Sequence, residues 1–332
     1  VSWLKLRVAD GVEHRIKILN LQYQARFDHN CPQMEFTIQT PDNFNYKRTV
    51  LSHGWCQLLP FEFDLASWRL VRPLEVGRAK PITVSIESRK QKLVITTKRK
   101  LGARSASLIE RDVRHMLRLD DDMESFYSAV AADSGFNWIT QEGAGRLLRS
   151  PTVFEDLVKT ICTTNCSWAL TEKMVKGLVR NLGREAEDGR RTFPSPVEMA
   201  QVSESFYRDE VRAGYRAPYL KELAERVAAG ALDVEGWLDS RLPTIELKRE
   251  MKSVKGVGDY AAENLLKLLG RYDGLALDSW VRAKFTRLHG SGRACSDKKI
   301  ARRYSRFKDW QGLALWCDMT RDWLDEEQLL RW

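Results

Sequence analysis

The stretch from Met251 to Leu288, MKSVKGVGDYAAENLLKLLGRYDGLALDSWVRAKFTRL, concentrates residues whose types and spacing could do chemistry. Lys255-Gly256-Val257-Gly258 sets two glycines around one small apolar residue. Glycine accepts positive φ without a Cβ clash, so the pattern predicts a turn tight enough for a helix to begin immediately after it. The first amides of that helix have no intrahelical partner, and together with the helix dipole they offer a seat for a phosphate. Lys252 and Lys255 bring positive charge beside it. Asp278 follows the short apolar run Leu275-Ala276-Leu277 and precedes Ser279–Phe285, where helical spacing resumes. It therefore falls at a helix N-cap, where dipole and amides favour a charged carboxylate. Capping alone would account for an aspartate there; a carboxylate with one dry side can also stabilise a developing cation or orient a water molecule.

Competing chemistries fit less well. Gly256–Ala262 matches G-x-G-x-x-A on paper, but the dinucleotide fingerprint needs a buried strand before its first glycine, and a lysine- and glutamate-rich helical stretch stands there. The six cysteines form no C-x-x-C pair and the five histidines no H-E-x-x-H, so neither a disulfide scaffold nor a metal or other cofactor is expected. Cys162 and Cys166, one helical turn apart, read as buried thiols. No apolar run approaches the ~18–20 residues of a membrane helix, and no membrane partner is expected. Val1–Arg7 lacks the apolar segment of a secretory signal, which makes the cytoplasm the expected address. With 54 Lys and Arg against 45 Asp and Glu, the net charge of +9 favours a polyanionic partner.

The elements that must position these residues read as an α+β chain. At 332 residues, with 43% apolar and 30% charged side chains, it can build a sizeable core in about two domains. Residues 1–107 form a β-rich N-terminal domain. Met34–Gln39 alternates with period two, and Ile82–Ile86 and Leu93–Thr97 flank the polar Ser88–Lys92 as a hairpin, after a loop holding Pro73, Gly77 and Pro81. From about Leu108, residues 108–332 are all-α. Ser150-Pro151 is expected to cap and open a helix over Thr152–Thr163, with a second helix ending at Gly183 and an amphipathic one over Tyr219–Ala229. Thr244–Val254 and Asp259–Leu269 flank the glycine turn, and the acidic Asp322–Gln328 reads as a solvated helix face.

A helix, a G-V-G hairpin, a second helix and an apolar segment ending in Asp about twenty residues on resembles the helix–hairpin–helix (HhH-GPD) DNA glycosylase superfamily. The resemblance extends upstream to Gly145–Leu148 with Pro151–Trp168 and to Gly214-Tyr215-Arg216-Ala217-Pro218-Tyr219, which are similar to segments of 8-oxoguanine DNA glycosylases. It extends downstream to Gln311-Gly312-Leu313-Ala314-Leu315-Trp316-Cys317-Asp318. It covers roughly residues 110–325; residues 1–50 fit less closely and read as an extension or an extra part of the sheet. The resemblance implies excision of a damaged base extruded from double-stranded DNA, by a monomer in the bacterial nucleoid or, in a eukaryote, the nucleus. It further implies that Lys255, Gly256, Val257 and Gly258 hold the DNA backbone. Asn165, Tyr215 and Arg216 would fill the gap in the duplex. Tyr260, Trp280, Gln311 and Leu315 would line the base pocket, and Asp278 would be catalytic. Bifunctional members carry a lysine two residues after the second hairpin glycine; Tyr260 stands there and cannot supply an amine nucleophile. The expected enzyme is thus a monofunctional hydrolase, with Lys255 and Lys267 as the only substitute amines considered.

Trp138, Trp168, Tyr260, Trp280 and Trp316 place many aromatics near the motifs, and ring faces attract cations, which favours an alkylated purine such as 3-methyladenine. Tyr260 and Trp280 also resemble the bulky aromatics of 3-methyladenine DNA glycosylase II. Gln311 points instead to an oxidised purine such as 8-oxoguanine, and a non-catalytic helix–hairpin–helix DNA-binding protein is the alternative from another class.

Overall fold

Apolar and β-branched strands pair into one antiparallel sheet, in which Met34–Gln39 alternates between buried and open positions while the inner strands are buried on successive residues. The computed structural model describes residues 34–290 and 293–325. Its strands are β1 (Met34–Gln39), β2 (Glu62–Asp64), β3 (Arg69–Leu74), β4 (Ile82–Arg89) and β5 (Lys92–Thr97), in the spatial order β1-β5-β4-β3-β2. The β4–β5 hairpin closes on Arg89 opposite Lys92, so Lys90 and Gln91 alone make the turn and Lys90 takes a φ of 57°. Pro73, expected in a loop, lies within β3 opposite Thr83. It is tolerated because β2 pairs only as far as Val71, so no strand needs the missing amide. Residues 34–50 supply β1 and the short helix α1 (Tyr46–Val50), so this part of the expected extension belongs to the sheet domain; residues 1–33 lie outside the described chain.

The helical part begins at Ala103, a turn earlier than the sequence texture suggests. Its helices are α2 (Ala103–Met116), α3 (Glu124–Ala131), α4 (Trp138–Gln141), α5 (Val153–Thr163), α6 (Trp168–Leu182), α7 (Pro196–Ala200), α8 (Glu204–Asp209) and α9 (Ala217–Ala228). They continue with α10 (Thr244–Lys252), α11 (Asp259–Leu268), α12 (Ser279–His289), α13 (Asp297–Tyr304) and α14 (Gln311–Thr320). The cap of α5 is Thr152, whose side chain accepts from the Glu155 amide, rather than Ser150. Ser150 is buried, and its amide instead donates to Asp156. Arg321–Leu324 is a single 3-10 turn, not a solvated helix face: Asp322 is paired with Lys284, and residues 326–328 lie outside the described chain.

Sheet and helices share one continuous core. Ile82, Val84, Ile86, Leu93 and Ile95 of the sheet join Ile109 and Val113 of α2 and Leu157 and Val158 of α5. Where the two parts meet, Arg72 of β3 reaches Glu155 of α5 at 3.0 Å, and Lys159 one turn on reaches the same carboxylate at 2.7 Å, all three side chains almost fully buried. Burial pushes the Glu155 carboxyl up, but Arg72 and then Lys159 outweigh it and hold it below its ordinary range. Two cations thus depend on one acid. Glu155→Gln leaves both buried without their counter-charge and should destabilise the fold by roughly 3–5 kcal/mol; an unchanged denaturation midpoint would contradict this account of the junction.

Candidate active site

The glycine turn forms as its composition requires, though by one glycine rather than two. Gly256 has a φ of 88°, and a Cβ there would come within 3.0 Å of the Tyr219 ring. Gly258 has ordinary extended backbone as the N-cap of α11, and nothing lies within 4 Å of where its Cβ would be. Its role is to leave the helix start uncovered. The flanking charge is partly offset: Lys255 meets Glu222 at 2.6 Å, and Lys252 meets Asp259 at 3.0 Å.

Asp278 caps α12, its Oδ1 accepting the Val281 amide at 2.6 Å. The approach to it is strained. Ala276 adopts a φ of 49°, which disfavours any side chain with a Cβ. Its amide donates to Glu263 at 2.6 Å, so a carboxylate on α11 fixes the loop that delivers Asp278. Sequence reasoning did not single out Glu263; with Asp259, Asn264 and Lys267 on the same helix, no local signal sets it apart. From the same helix, the Tyr260 phenol lies beside Asp278 and Thr163. Burial, and then the charge of Asp278, push the phenol up to about 12, so it stays a donor at neutral pH.

Both groups open onto a cleft of about 1350 Å³ between the helical layers and the sheet domain. Asn165 and Tyr215 stand at its rim, both exposed, with Asn165 in the left-handed region at the α5–α6 turn. Trp280 also lines it, 5.7 Å from Trp316 between ring centroids. The sheet domain contributes His53, Gly54 and Trp55, which no sequence pattern announced. His53 donates from Nε2 to the Leu148 carbonyl at 2.8 Å, and burial pushes its pKa down to about 3, so it is a neutral strut. Trp55 donates to Asp156 at 2.7 Å, and Trp316 donates to the Ser52 carbonyl at 2.8 Å.

Three expected site residues are placed elsewhere. Arg216 is buried rather than free to enter a duplex: its guanidinium donates to the Ile161 and Thr164 carbonyls and packs over the Tyr215 ring, bracing the turn that carries Asn165. Gln311 donates to the Asp273 carbonyl at 2.6 Å and does not line the cleft. Leu315 is sealed in the core, and Trp316, the next residue on α14, faces the cleft instead. Trp138 is likewise core. Cys162 is a buried thiol as expected, and half-buried Cys166 donates to its carbonyl; among the described residues no group of acids, histidines and cysteines could hold a metal.

Lys267 lies on the cleft face of α11, two turns beyond Tyr260, and is 3% exposed. Its ammonium sits 4.9 Å from the Trp316 ring centroid, and no salt bridge or hydrogen bond to a described residue satisfies it. Burial pushes its pKa down to about 8, against the pull of Glu263 and Asp278. A lysine whose folded pKa lies below its unfolded value of 10.5 destabilises the fold fully below pH 8 and progressively less up to about pH 10.5. Lys267→Met should therefore raise stability at pH 7, by roughly 1–3 kcal/mol, with the gain shrinking above pH 8. A variant less stable than the parent at pH 7 in thermal melts would contradict this.

Residues 158–309 match the family model described as "HhH-GPD superfamily base excision DNA repair protein". A protein of Methanothermobacter thermautotrophicus named "Probable N-glycosylase/DNA lyase" is 26% identical, over 65% of this chain and 76% of its own. Among solved structures, the Clostridium acetobutylicum 8-oxoguanine glycosylase/lyase superposes with a TM-score of 0.65 at 20% identity, covering 86% of this chain and 96% of that one. The 3-methyladenine DNA glycosylase of Archaeoglobus fulgidus superposes at 0.66 and 22%, covering 85% and 98%. These two likenesses establish the fold, an N-terminal antiparallel sheet followed by a helical domain. Within the helical domain of this chain, residues 158–309 are thus similar to the HhH-GPD superfamily of base excision DNA repair proteins.

Proposed function

We propose that this protein is a monofunctional DNA N-glycosylase that draws a damaged purine out of double-stranded DNA and hydrolyses its glycosidic bond. The observation that carries the reading is the pairing of Asp278 with Tyr260 at the edge of a deep cleft, beside an uncovered helix start. The amides after Gly258 would take a DNA phosphate, and Asn165 and Tyr215 would occupy the space the extruded nucleotide leaves. As the bond to the base breaks, the sugar gains oxocarbenium character. A carboxylate held by the Val281 amide on one side is positioned to stabilise that charge and to guide water to the anomeric carbon. Tyr260 stands beside the carboxylate and, as a neutral phenol, forms no Schiff base. Phosphate binding alone would explain the glycine turn but gives no use for the carboxylate or the cleft.

The choice between substrates turns on the aromatic faces. A cage for a cationic alkylated purine needs rings free to receive it, and one face of Trp316 already carries the Lys267 ammonium. That favours an uncharged, oxidised purine. Incubation with duplexes bearing 8-oxoguanine, hypoxanthine, 7-methylguanine or 3-methyladenine should release free base and leave an abasic strand that breaks only on alkali treatment. Borohydride should trap no protein–DNA adduct. DNA binding without base release would return the protein to the binding-module class, and a trapped adduct would remove the monofunctional assignment.

A further inference from the structure

The described chain buries three lysines, and two have oxygen partners. Lys159 reaches Glu155 at 2.7 Å and Ser150 at 3.4 Å, and Lys284 is paired with Asp322. Lys267 is the exception. An ammonium carries three donors and no acceptor, yet among the described residues only a tryptophan face is in contact with it, the Glu263 and Asp278 carboxylates acting on its charge without a hydrogen bond. Burying such a group without an oxygen partner is unfavourable. It makes physical sense where a ligand brings the acceptor, and Lys267 lines the cleft in which the ligand would sit.

We propose that Lys267 sets the substrate class: its ammonium donates to a carbonyl oxygen on an uncharged extruded base, and it repels purines made cationic by alkylation. The proposal rests on the glycosylase reading above and names the base that such an enzyme would accept. Tyr260, Asn264 and Lys267 follow at i, i+4 and i+7 on α11, so they share one face of the helix and all line the cleft. Tyr260 marks the end where the sugar would be attacked. Lys267 lies two turns further, roughly 10 Å along the helix axis, at the end toward which the far edge of a purine would extend. Asn264 stands between them. Its amide nitrogen donates to the Tyr260 carbonyl at 2.9 Å, which leaves its oxygen as an acceptor on the cleft face.

A donor at Lys267 with an acceptor at Asn264 complements a lactam, an adjacent C=O and N–H. The far edge of the purine carries such a pair, N1–H beside C6=O, in 8-oxoguanine and in the deaminated purine hypoxanthine; 7-methylguanine keeps it too, so its positive charge is what sets it apart. A 7-alkylpurine or 3-alkylpurine brings a positive charge toward an ammonium that is almost fully buried, where like charges repel more strongly than in water. The Trp316 ring then holds the ammonium in place by cation–π attraction and is not itself the recognition surface.

The test is single-turnover base release from duplexes carrying 8-oxoguanine, hypoxanthine or 7-methylguanine, each corrected for spontaneous loss. Parent, Lys267→Met and Lys267→Gln are compared, with thermal melts confirming that each variant is folded. The parent should favour the two uncharged bases. Lys267→Met should lower their release on the order of 10- to 100-fold, the loss expected for a hydrogen bond from a charged donor, and raise release of 7-methylguanine several-fold. Lys267→Gln, with a neutral donor, should fall between. An unaltered ratio between the uncharged bases and 7-methylguanine in Lys267→Met overturns the proposal, as does a parent that prefers 7-methylguanine. A borohydride-trapped adduct that disappears in Lys267→Met would make this lysine an attacking amine and overturn it too. If the parent releases no base from any duplex, the glycosylase reading itself falls and takes this proposal with it; release with an unaltered ratio removes only the proposal.

Discussion

The site depends on one short hydrogen bond, from the Val281 amide to the Asp278 carboxylate. It ties a reactive group to the first turn of a helix, where the backbone supplies donors that would otherwise be unsatisfied. The carboxylate cannot swing away without uncapping α12. Its neighbour, the Tyr260 phenol, comes from α11, and the loop between the two helices is pinned to α11 through Ala276 and Glu263. One helix therefore bears on the carboxylate twice, by the phenol it sets beside it and by holding the strained backbone that leads to it. The glycine turn fixes where that helix begins.

Much of this was legible in the sequence because its causes are local. Two glycines around a valine, an aspartate after an apolar tripeptide, and alternation in Met34–Gln39 each act over a few residues, and the turn, the cap and the strand appear where those patterns put them. The misplacements share a different cause. Arg216 and Gln311 are polar residues with several equivalent destinations, and their partners, the Ile161 and Asp273 carbonyls, are chosen by packing between distant segments. Leu315 and Trp316 differ by one position on a helix, and only the rotation of α14 against the sheet domain decides which faces the cleft. His53 and Trp55 carry no pattern at all; they reach the cleft because Ser52–Trp55 is where the sheet domain meets α5 and α14.

The two buried cation sites show how the chain divides its polar groups. Arg72, Glu155 and Lys159 satisfy one another where sheet and helices join, so burial there fixes the relative placement of two elements. Lys267 is buried to a similar degree with no such partner, on the face of the helix that also holds Tyr260. Its sequence setting, Leu265-Leu266-Lys267-Leu268-Leu269, is a lysine inside an apolar run. That signal is readable, but it acquires meaning only once the cleft is known to lie on that side. Stability sacrificed at a position facing a binding cleft is the usual mark of function.

Asp278→Asn tests the central claim most directly, because asparagine caps helices about as well as aspartate. The fold, α12 and binding of damaged duplex should all persist, while single-turnover release of the modified base should fall by ~10²–10⁴-fold. Undiminished release by a folded, DNA-bound Asp278→Asn variant would show that the carboxylate is a cap and nothing more.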